Sequence, residues 1–225
     1  MEDAPPLIRL FHVYKRYGAT TALADITLDI KANEFLFVTG ASGAGKTTLL
    51  KLLYLGEPLS EGQILIDGMN LTRIKRDRIP FLRRKFGVVF QDYNLIPTKT
   101  VFDNIALVME AAGHKRGFIV KKVKSVLRTV GMEDRLNSYP PALSGGEQQK
   151  ITIARAVVGD PKIILADEPT GSLDDESADD VMSLLKGFHD RGTTVIVATH
   201  NKNLIHSIEA RRVNLSRTFS RETPE

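Results

Sequence analysis

The sequence predicts an α/β fold with a mainly parallel sheet, an N-terminal antiparallel β layer and an inserted helical subdomain. Three features support this: near-continuous apolar runs, alternating apolar and polar residues near the N-terminus, and a central segment that lacks strand patterns. We expect one domain over residues 7–215. Its core comprises 7–91 and 160–215, its helical subdomain comprises 92–159, and no role is assigned to the tail, 216–225.

Half-buried strands are predicted in the N-terminal third. In ADITLDI, residues 24–30, apolar and polar residues alternate with the period of two expected for a strand with one covered face. QILID, residues 63–67, alternates in the same way between two glycines. These strands predict the antiparallel layer.

Four apolar runs indicate strands covered on both faces, as in a parallel sheet. They are FLFVTG (35–40), GVVFQD (87–92), IILADE (163–168) and TVIVATH (194–200). Each ends in small or polar residues. Open α/β sheets bind ligands at the carboxyl ends of their strands, so these endings are the candidate site.

Helices are predicted between the strands. KTTLLKLLYLG, residues 46–56, follows the first buried run and stops near a glycine and a proline. Residues 118–130 place apolar side chains at spacings of three and four. We expect the whole segment from about 92 to 160 to be helical.

Composition narrows the class of protein. The chain has no cysteine, which excludes disulfides, thiol catalysis and Cys-ligated zinc. Its net charge of +4 is too small to argue for a nucleic-acid partner, and none is expected. No apolar run approaches the roughly 18 residues of a membrane span. We therefore expect a cytoplasmic protein.

A local charge bias occurs in RIKRDRIPFLRRK, residues 73–85. One interpretation is a solvated face; the alternative is a contact with a membrane surface or a partner.

The stretch GASGAGKTT fits the phosphate-loop pattern G-x-x-x-x-G-K-[ST] and lies between a predicted strand and a predicted helix. Glycines let main-chain N–H groups approach phosphates closely. Lys46 can reach the β- and γ-phosphates of a nucleotide, and the Thr47 hydroxyl can coordinate Mg²⁺. The predicted nucleotide-binding residues of this loop are Gly40, Ala41, Ser42, Gly43, Ala44, Gly45, Lys46, Thr47 and Thr48.

Further candidates lie at the ends of the other buried runs. Asp167 is the predicted Mg²⁺ partner, and Glu168 is placed to polarise an attacking water. Alone, Glu168 would also fit an ordinary surface carboxylate. His200 is a candidate for γ-phosphate contact, and Gln91 for contact with Mg²⁺ or the attacking water. With Lys46, these residues form the predicted catalytic set.

The stretch LSGGEQQK, residues 143–150, is a second candidate phosphate site. Its Ser-Gly-Gly turn leads into a predicted helix, whose free N–H groups and dipole favour anions. A chain that already has a phosphate loop has no evident need of another.

With these stretches in this order, the chain resembles the ATP-binding-cassette ATPases, which are P-loop NTPases. The resemblance implies MgATP hydrolysis in a head-to-tail homodimer, in which the signature of one cassette completes the partner's site. It assigns Ser144, Gly145, Gly146 and Glu147 to that trans site and places Tyr17 against the adenine.

Longer stretches, among them EFLFVTGASGAGKTTLLKLLY, are similar to cassettes of bacterial cell division. This implies an integral membrane subunit resembling FtsX, regulation of cell-wall hydrolases, and a peripheral position on the cytoplasmic face of the inner membrane. The alternative is an ATPase of a lipoprotein-release or macrolide exporter. Residues 92–104 are the candidate docking surface, unless their apolar side chains merely cap the subdomain core. Two modes of ATP use stay open: an ATP-driven motor, and a nucleotide-gated switch whose hydrolysis is slow.

Overall fold

A computed structural model describes residues 5–201, 204–205 and 208–215, and the tail at 216–225 lies outside the described residues. In chain order, the strands and helices are β1 (Ile8–Tyr17), β2 (Thr20–Ile30), β3 (Phe35–Thr39), α1 (Lys46–Leu53), β4 (Glu61–Ile66), β5 (Met69–Asn70), α2 (Ile79–Arg83), β6 (Phe86–Val89), α3 (Val101–Ala111), α4 (Arg116–Thr129), α5 (Gly145–Val157), β7 (Ile163–Asp167), α6 (Asp175–Asp190), β8 (Thr194–Ala198) and β9 (Arg211–Asn214).

The antiparallel layer is a four-stranded sheet in the order β2-β1-β4-β5. Its alternation follows the sequence pattern: Leu28 and Ile30 are buried, whereas Asp25, Thr27 and Asp29 are exposed. The predicted layer is therefore confirmed. The long strand β1, which pairs with both β2 and β4, was not specified by the sequence reading.

The second sheet has five parallel strands in the order β6-β7-β8-β3-β9. Its two faces are covered by different elements, which explains the continuous apolar runs. Leu36 and Val38 pack with α1 and the antiparallel layer. Phe35 and Phe37 pack with the core that α3, α4, α5 and α6 form on the other face. Four strands of this sheet deliver the candidate residues to one edge.

The central segment differs in detail from the expectation of continuous helix. Residues 90–100 are not helical, the first α-helix of the segment begins at Val101, and short 3₁₀ turns occupy Glu133–Arg135 and Pro140–Ala142. Tyr93 and Asn94 both have positive φ, which is incompatible with a right-handed helix. The strand predicted over 87–92 likewise ends at Val89, before Gln91.

Helix α4 confirms the three-and-four pattern. The side chains of Ile119, Val123, Val126 and Leu127 are buried in the core beneath the parallel sheet. In contrast, the basic residues Lys121 and Lys124 are exposed. The helix is thus amphipathic, and its apolar stripe fixes its orientation on the subdomain.

Candidate nucleotide site

The phosphate loop connects β3 to α1 at the carboxyl edge of the parallel sheet. Gly40 and Gly45 have φ of 147° and 95°, and a Cβ atom would lie 2.7 Å from the Leu215 carbonyl oxygen or 2.6 Å from that of Ala22. Only glycine fits these two positions. Ala41, Ser42 and Gly43 are exposed along the loop, so their main chain is open to a ligand.

Lys46 begins α1, and its side chain is folded over the loop. It is only 7% exposed. Its Nζ donates to the main-chain oxygens of Gly40 at 2.9 Å and Ala41 at 3.2 Å, and lies 3.5 Å from Glu168 Oε1. This places a positive charge at the mouth of the loop, where phosphate oxygens would be neutralised.

Asp167 lies at the end of β7 with its carboxylate buried, and Oδ1 has no hydrogen-bond partner in the described part of the chain. Burial raises the pKa of Asp167, and a hydrogen bond with the Thr47 side chain opposes that rise. An unsatisfied buried carboxylate oxygen beside a hydroxyl is an oxygen pair that suits Mg²⁺. These two residues therefore fit the predicted metal.

No group of three or more His, Cys, Asp or Glu side chains within the described ranges is placed to hold a metal ion. A metal at the Thr47 and Asp167 pair would therefore need further oxygen ligands. Nucleotide phosphate groups are the usual source of such ligands for Mg²⁺.

Glu168 follows Asp167, and its carboxylate is fixed by three groups. Oε2 accepts from Thr199 Oγ1 at 2.9 Å, Oε1 lies 2.7 Å from His200 Nδ1, and Lys46 lies on the same side. The backbone of Glu168 has φ of 43°, a conformation uncommon for a residue with a side chain. The structure thus joins three residues of the predicted catalytic set.

Thr199 belongs to the site although the sequence alone does not predict it. It is fully buried between β8 and His200, and its hydroxyl donates to Glu168. The sequence does place it one residue before His200, at the end of an apolar run. Its pairing with Glu168 depends on β7 and β8 being neighbours, which the sequence reading did not establish.

Gln91 and Tyr17 form no hydrogen bond to the other predicted catalytic residues within the described chain. Gln91 is exposed beyond the end of β6 and forms no hydrogen bond within the described chain. The Tyr17 hydroxyl donates to Glu57, and Lys15 Nζ lies 4.7 Å from the centre of the Tyr17 ring. Burial and the bond to Glu57 raise the pKa of Tyr17. The predicted roles of both residues stay predictions.

The signature stretch forms the N-terminus of α5. Ser144 is the N-cap: its Oγ accepts from the Glu147 N–H at 3.2 Å, and Glu147 Oε2 accepts from the Ser144 N–H at 2.8 Å. This capping box stabilises the helix start. Glu147 also pairs with Arg135, and these bonds lower its pKa. Its assignment to nucleotide binding stays a prediction.

The two signature glycines lie against neighbouring elements. A Cβ on Gly145 would be 2.9 Å from the Tyr93 hydroxyl, and one on Gly146 would be 2.7 Å from Ser177 Oγ. Within the described chain, no hydrogen bond or ion pair links Ser144 or Glu147 to the loop at 40–48. The structure does not bring the two predicted phosphate sites together through such bonds.

A clamp between the Gln91 loop and α5 was not predicted. The half-buried Arg155 donates to the main-chain oxygens of Asn94 at 2.6 Å and Tyr93 at 2.8 Å, and Thr152 Oγ1 donates to Tyr93 at 3.2 Å. Burial lowers the pKa of Arg155. We call Arg155, Thr152 and the two carbonyls the loop clamp. It ties the segment after Gln91 to the helix that presents the signature.

The candidate docking surface, residues 92–104, has a mixed character. Leu95 packs against the core, as the capping interpretation required, while Ile96 is 38% exposed. A groove of about 340 Å³ lies between α2 and the end of α3, lined by Pro80, Arg83, Val108 and Ala111 among others, and none of residues 92–104 lines it. In the described part of the chain, no helix is long and apolar enough to cross a membrane.

Comparisons with known proteins identify the family of the chain. Residues 23–171 match the family model described as ABC transporter. The chain is 45% identical over 206 residues to the cell division ATP-binding protein FtsE of Bacillus subtilis strain 168, covering 91% of this chain and 90% of that protein. Identity to FtsE of Escherichia coli K12 is 44% over 211 residues, covering 93% and 95%.

Among solved structures, the fold is similar to a dimeric structure of a post-hydrolysis state of the ATP-binding cassette MJ0796 bound to ADP and Pi. The TM-score is 0.83 with 34% identity, covering 92% of this chain and 93% of that one. The matched family span contains the phosphate loop, the signature and the Asp167–Glu168 pair. The chain therefore belongs to the ABC transporter family, as an ATPase of the ATP-binding-cassette type.

Proposed function

We propose that this chain binds and hydrolyses MgATP at the interface of a head-to-tail homodimer, and so drives or gates a membrane partner. The observation that supports this best is the convergence of Lys46, Asp167, Glu168 and His200 at one sheet edge. Phosphoryl transfer to water depends mainly on positioning and charge neutralisation, and these residues supply both.

Each residue has a distinct role in the proposed reaction. When the nucleotide binds, Lys46 Nζ gives up its hydrogen bonds to the loop carbonyl oxygens and contacts phosphate oxygens instead. Glu168 orients the attacking water and accepts its proton, and Thr199 and His200 hold that carboxylate in place. Thr47 and Asp167 would hold Mg²⁺, which neutralises phosphate charge when bound.

The dimer is proposed because the signature has no hydrogen-bonded link to its own phosphate loop. Ser144 is exposed at the N-terminus of α5, a helix end that is suited to an anion, and the capping box uses the N–H groups of Ser144 and Glu147 but not those of Gly145 and Gly146. MJ0796, whose structure is similar, is a dimer. Ser144, Gly145 and Gly146 would then contact the γ-phosphate held by the partner, so ATP but not ADP bridges the two halves.

The biological setting is proposed from the FtsE relatives. Their name assigns them to cell division. We propose the same setting here, on the cytoplasmic face of the membrane beside a subunit resembling FtsX, with an effect on cell-wall hydrolases. Export of lipoproteins or macrolides is the alternative. The exposed side chain of Ile96 supports partner docking near residues 92–104.

The Glu168→Gln variant tests the site. We expect turnover to fall by roughly 10²–10⁴ with ATP binding retained, because the amide cannot accept the proton. Light scattering should show a stable dimer with ATP and a monomer with ADP. Wild-type hydrolysis by the variant would contradict the assignment of Glu168.

Purification of the native complex tests the setting. A membrane subunit resembling FtsX, identified by mass, would support cell division. A lipoprotein-releasing permease in its place would overturn that proposal and leave the ATPase assignment standing.

A further inference from the structure

Residues 73–85 form the most basic surface segment of the chain, and we call them the basic face. They contain seven Lys or Arg residues and one acidic residue, which is a formal charge of +6 in a chain whose total is +4. The segment runs from the end of the antiparallel layer through two 3₁₀ turns into α2.

Buried apolar side chains hold the basic face against the core, so that its charged side chains point into the solvent. Leu71 and Leu82 are buried, and Ile74 packs against the same core. Between these anchors, the basic side chains at 73, 75, 76 and 78 are exposed. The segment is therefore held against the core and presents its cations to the solvent as one fixed array.

Most of these cations have no acidic partner beyond their own segment. Within the described chain, Arg73, Lys75 and Arg76 form no ion pair. Arg83 and Arg84 donate to main-chain oxygens of Leu55 and Ala111, which leaves their charge uncompensated. Lys85 is an exception within the segment, because its Nζ pairs with Asp67. The basic face thus retains charge for an external anion.

An exposed aromatic residue lies within this array. Phe81 is 55% exposed, and the guanidinium groups of Arg78 and Arg84 lie 6.0 Å and 5.2 Å from its ring centre. An apolar ring surrounded by cations is the combination that favours the boundary between lipid headgroups and acyl chains.

The basic face lies away from the nucleotide site. It precedes β6, so it lies at the amino end of that strand, whereas the catalytic residues follow the carboxyl ends of β3, β7 and β8. Nucleotide binding and dimerisation through the catalytic edge therefore leave it free.

We propose that the basic face binds the anionic phospholipid headgroups of a bilayer surface, with Phe81 entering the headgroup layer. Lys and Arg side chains near an anionic membrane each strengthen binding by about fivefold. The contact is peripheral, and it goes beyond the proposed function because it needs neither nucleotide nor a membrane subunit. A nucleic acid fits less well, since one short segment with a single exposed aromatic offers no extended groove.

Vesicle sedimentation tests the proposal. The purified full-length chain should bind vesicles of phosphatidylcholine containing about 30% phosphatidylglycerol, and not vesicles of phosphatidylcholine alone. Increasing the salt from about 0.1 M to about 0.5 M should release it. Replacing Lys75 and Arg76 with glutamine should weaken binding by about 25-fold, and Phe81→Ser should weaken it further.

Replacing Lys121 and Lys124 with glutamine is the matched control, because these exposed cations lie on α4 and removing them changes the net charge equally. This variant should bind vesicles as the wild type does, and all variants should keep their ATPase activity and melting temperature. Equal loss in the control, or no binding to anionic vesicles, would overturn the proposal. So would tighter binding to RNA that depends on the same two residues and competes with the vesicles.

Discussion

At the scale of single residues, the buried carboxylate of Asp167 shows how the site trades stability for function. Its Oδ1 has no partner within the described chain, and burial raises its pKa. An unsatisfied buried polar group costs about 1–3 kcal/mol. Asp167→Asn removes the charge, so we expect the nucleotide-free protein to gain about 1 kcal/mol, or about 2–4 °C in Tm, while ATP hydrolysis is lost.

The pH dependence of this gain has a definite sign. Since the folded-state pKa of Asp167 lies above its unfolded value, folding favours the protonated form. The carboxylate therefore lowers stability as pH rises through the window between those two values, and the cost persists above it. The Tm values of the wild type and of the Asp167→Asn variant should differ at neutral pH and converge in acid. Equal Tm values at neutral pH would contradict this account.

At the scale of elements, the loop clamp connects the Gln91 loop to α5. Arg155 is a positioning residue, because it holds two main-chain oxygens and touches no predicted ligand. Arg155→Ala should lower the free energy of unfolding by about 1–3 kcal/mol and lower kcat with little effect on KM. Arg155→Lys should rescue stability more than kcat, because a lysine lacks the planar fork that serves both oxygens.

Urea denaturation and steady-state ATPase assays check these effects. A purely structural role for Arg155 would reduce stability and leave the kcat of the folded fraction at the wild-type value. That result would contradict a connection between the loop and the signature helix.

Two roles of Ser144, the cap of α5 and the contact with the partner's nucleotide, can be tested separately by substitution. Ser144→Ala removes the cap and should cost about 1 kcal/mol. Ser144→Asn keeps a good cap but adds bulk where a partner's phosphate would lie. We expect the Asn variant to retain wild-type stability and monomer nucleotide binding, while hydrolysis falls by about 10²-fold. Wild-type hydrolysis by the Asn variant would show that Ser144 is only a cap.

Elements with local sequence signals were predictable. The phosphate loop, the four apolar runs and the stripe on α4 depend on residues close together in the chain, and the structure has an element at each. Thr199 and Arg155 were missed because their importance lies in contacts across 31 and 61 residues of sequence. The pairing of β9 with β3 is a similar case, since Arg211–Asn214 has no distinctive pattern and its place depends on the assembled sheet.

At the scale of the whole molecule, the central claim is that the signature of one protomer completes the nucleotide site of the other. A two-fold dimer of this kind has two equivalent sites, each built from one phosphate loop and one partner signature. Lys46→Ala impairs the first component and Ser144→Asn the second. Each variant alone therefore has two defective sites. Calorimetry should distinguish the two variants, because Lys46→Ala should lose its affinity for ATP and Ser144→Asn should retain it.

Mixing these two variants tests the claim most directly. In a mixed dimer, one site combines both defects, and the other combines a wild-type phosphate loop with a wild-type signature. When the two variants are mixed in equal amounts, random association gives mixed dimers in half of the population, each with one intact site of two, so ATP hydrolysis should recover to about a quarter of the wild-type rate. If Ser144 instead served the nucleotide of its own chain, every site would keep a defect, and the mixture would be no more active than the average of the two variants.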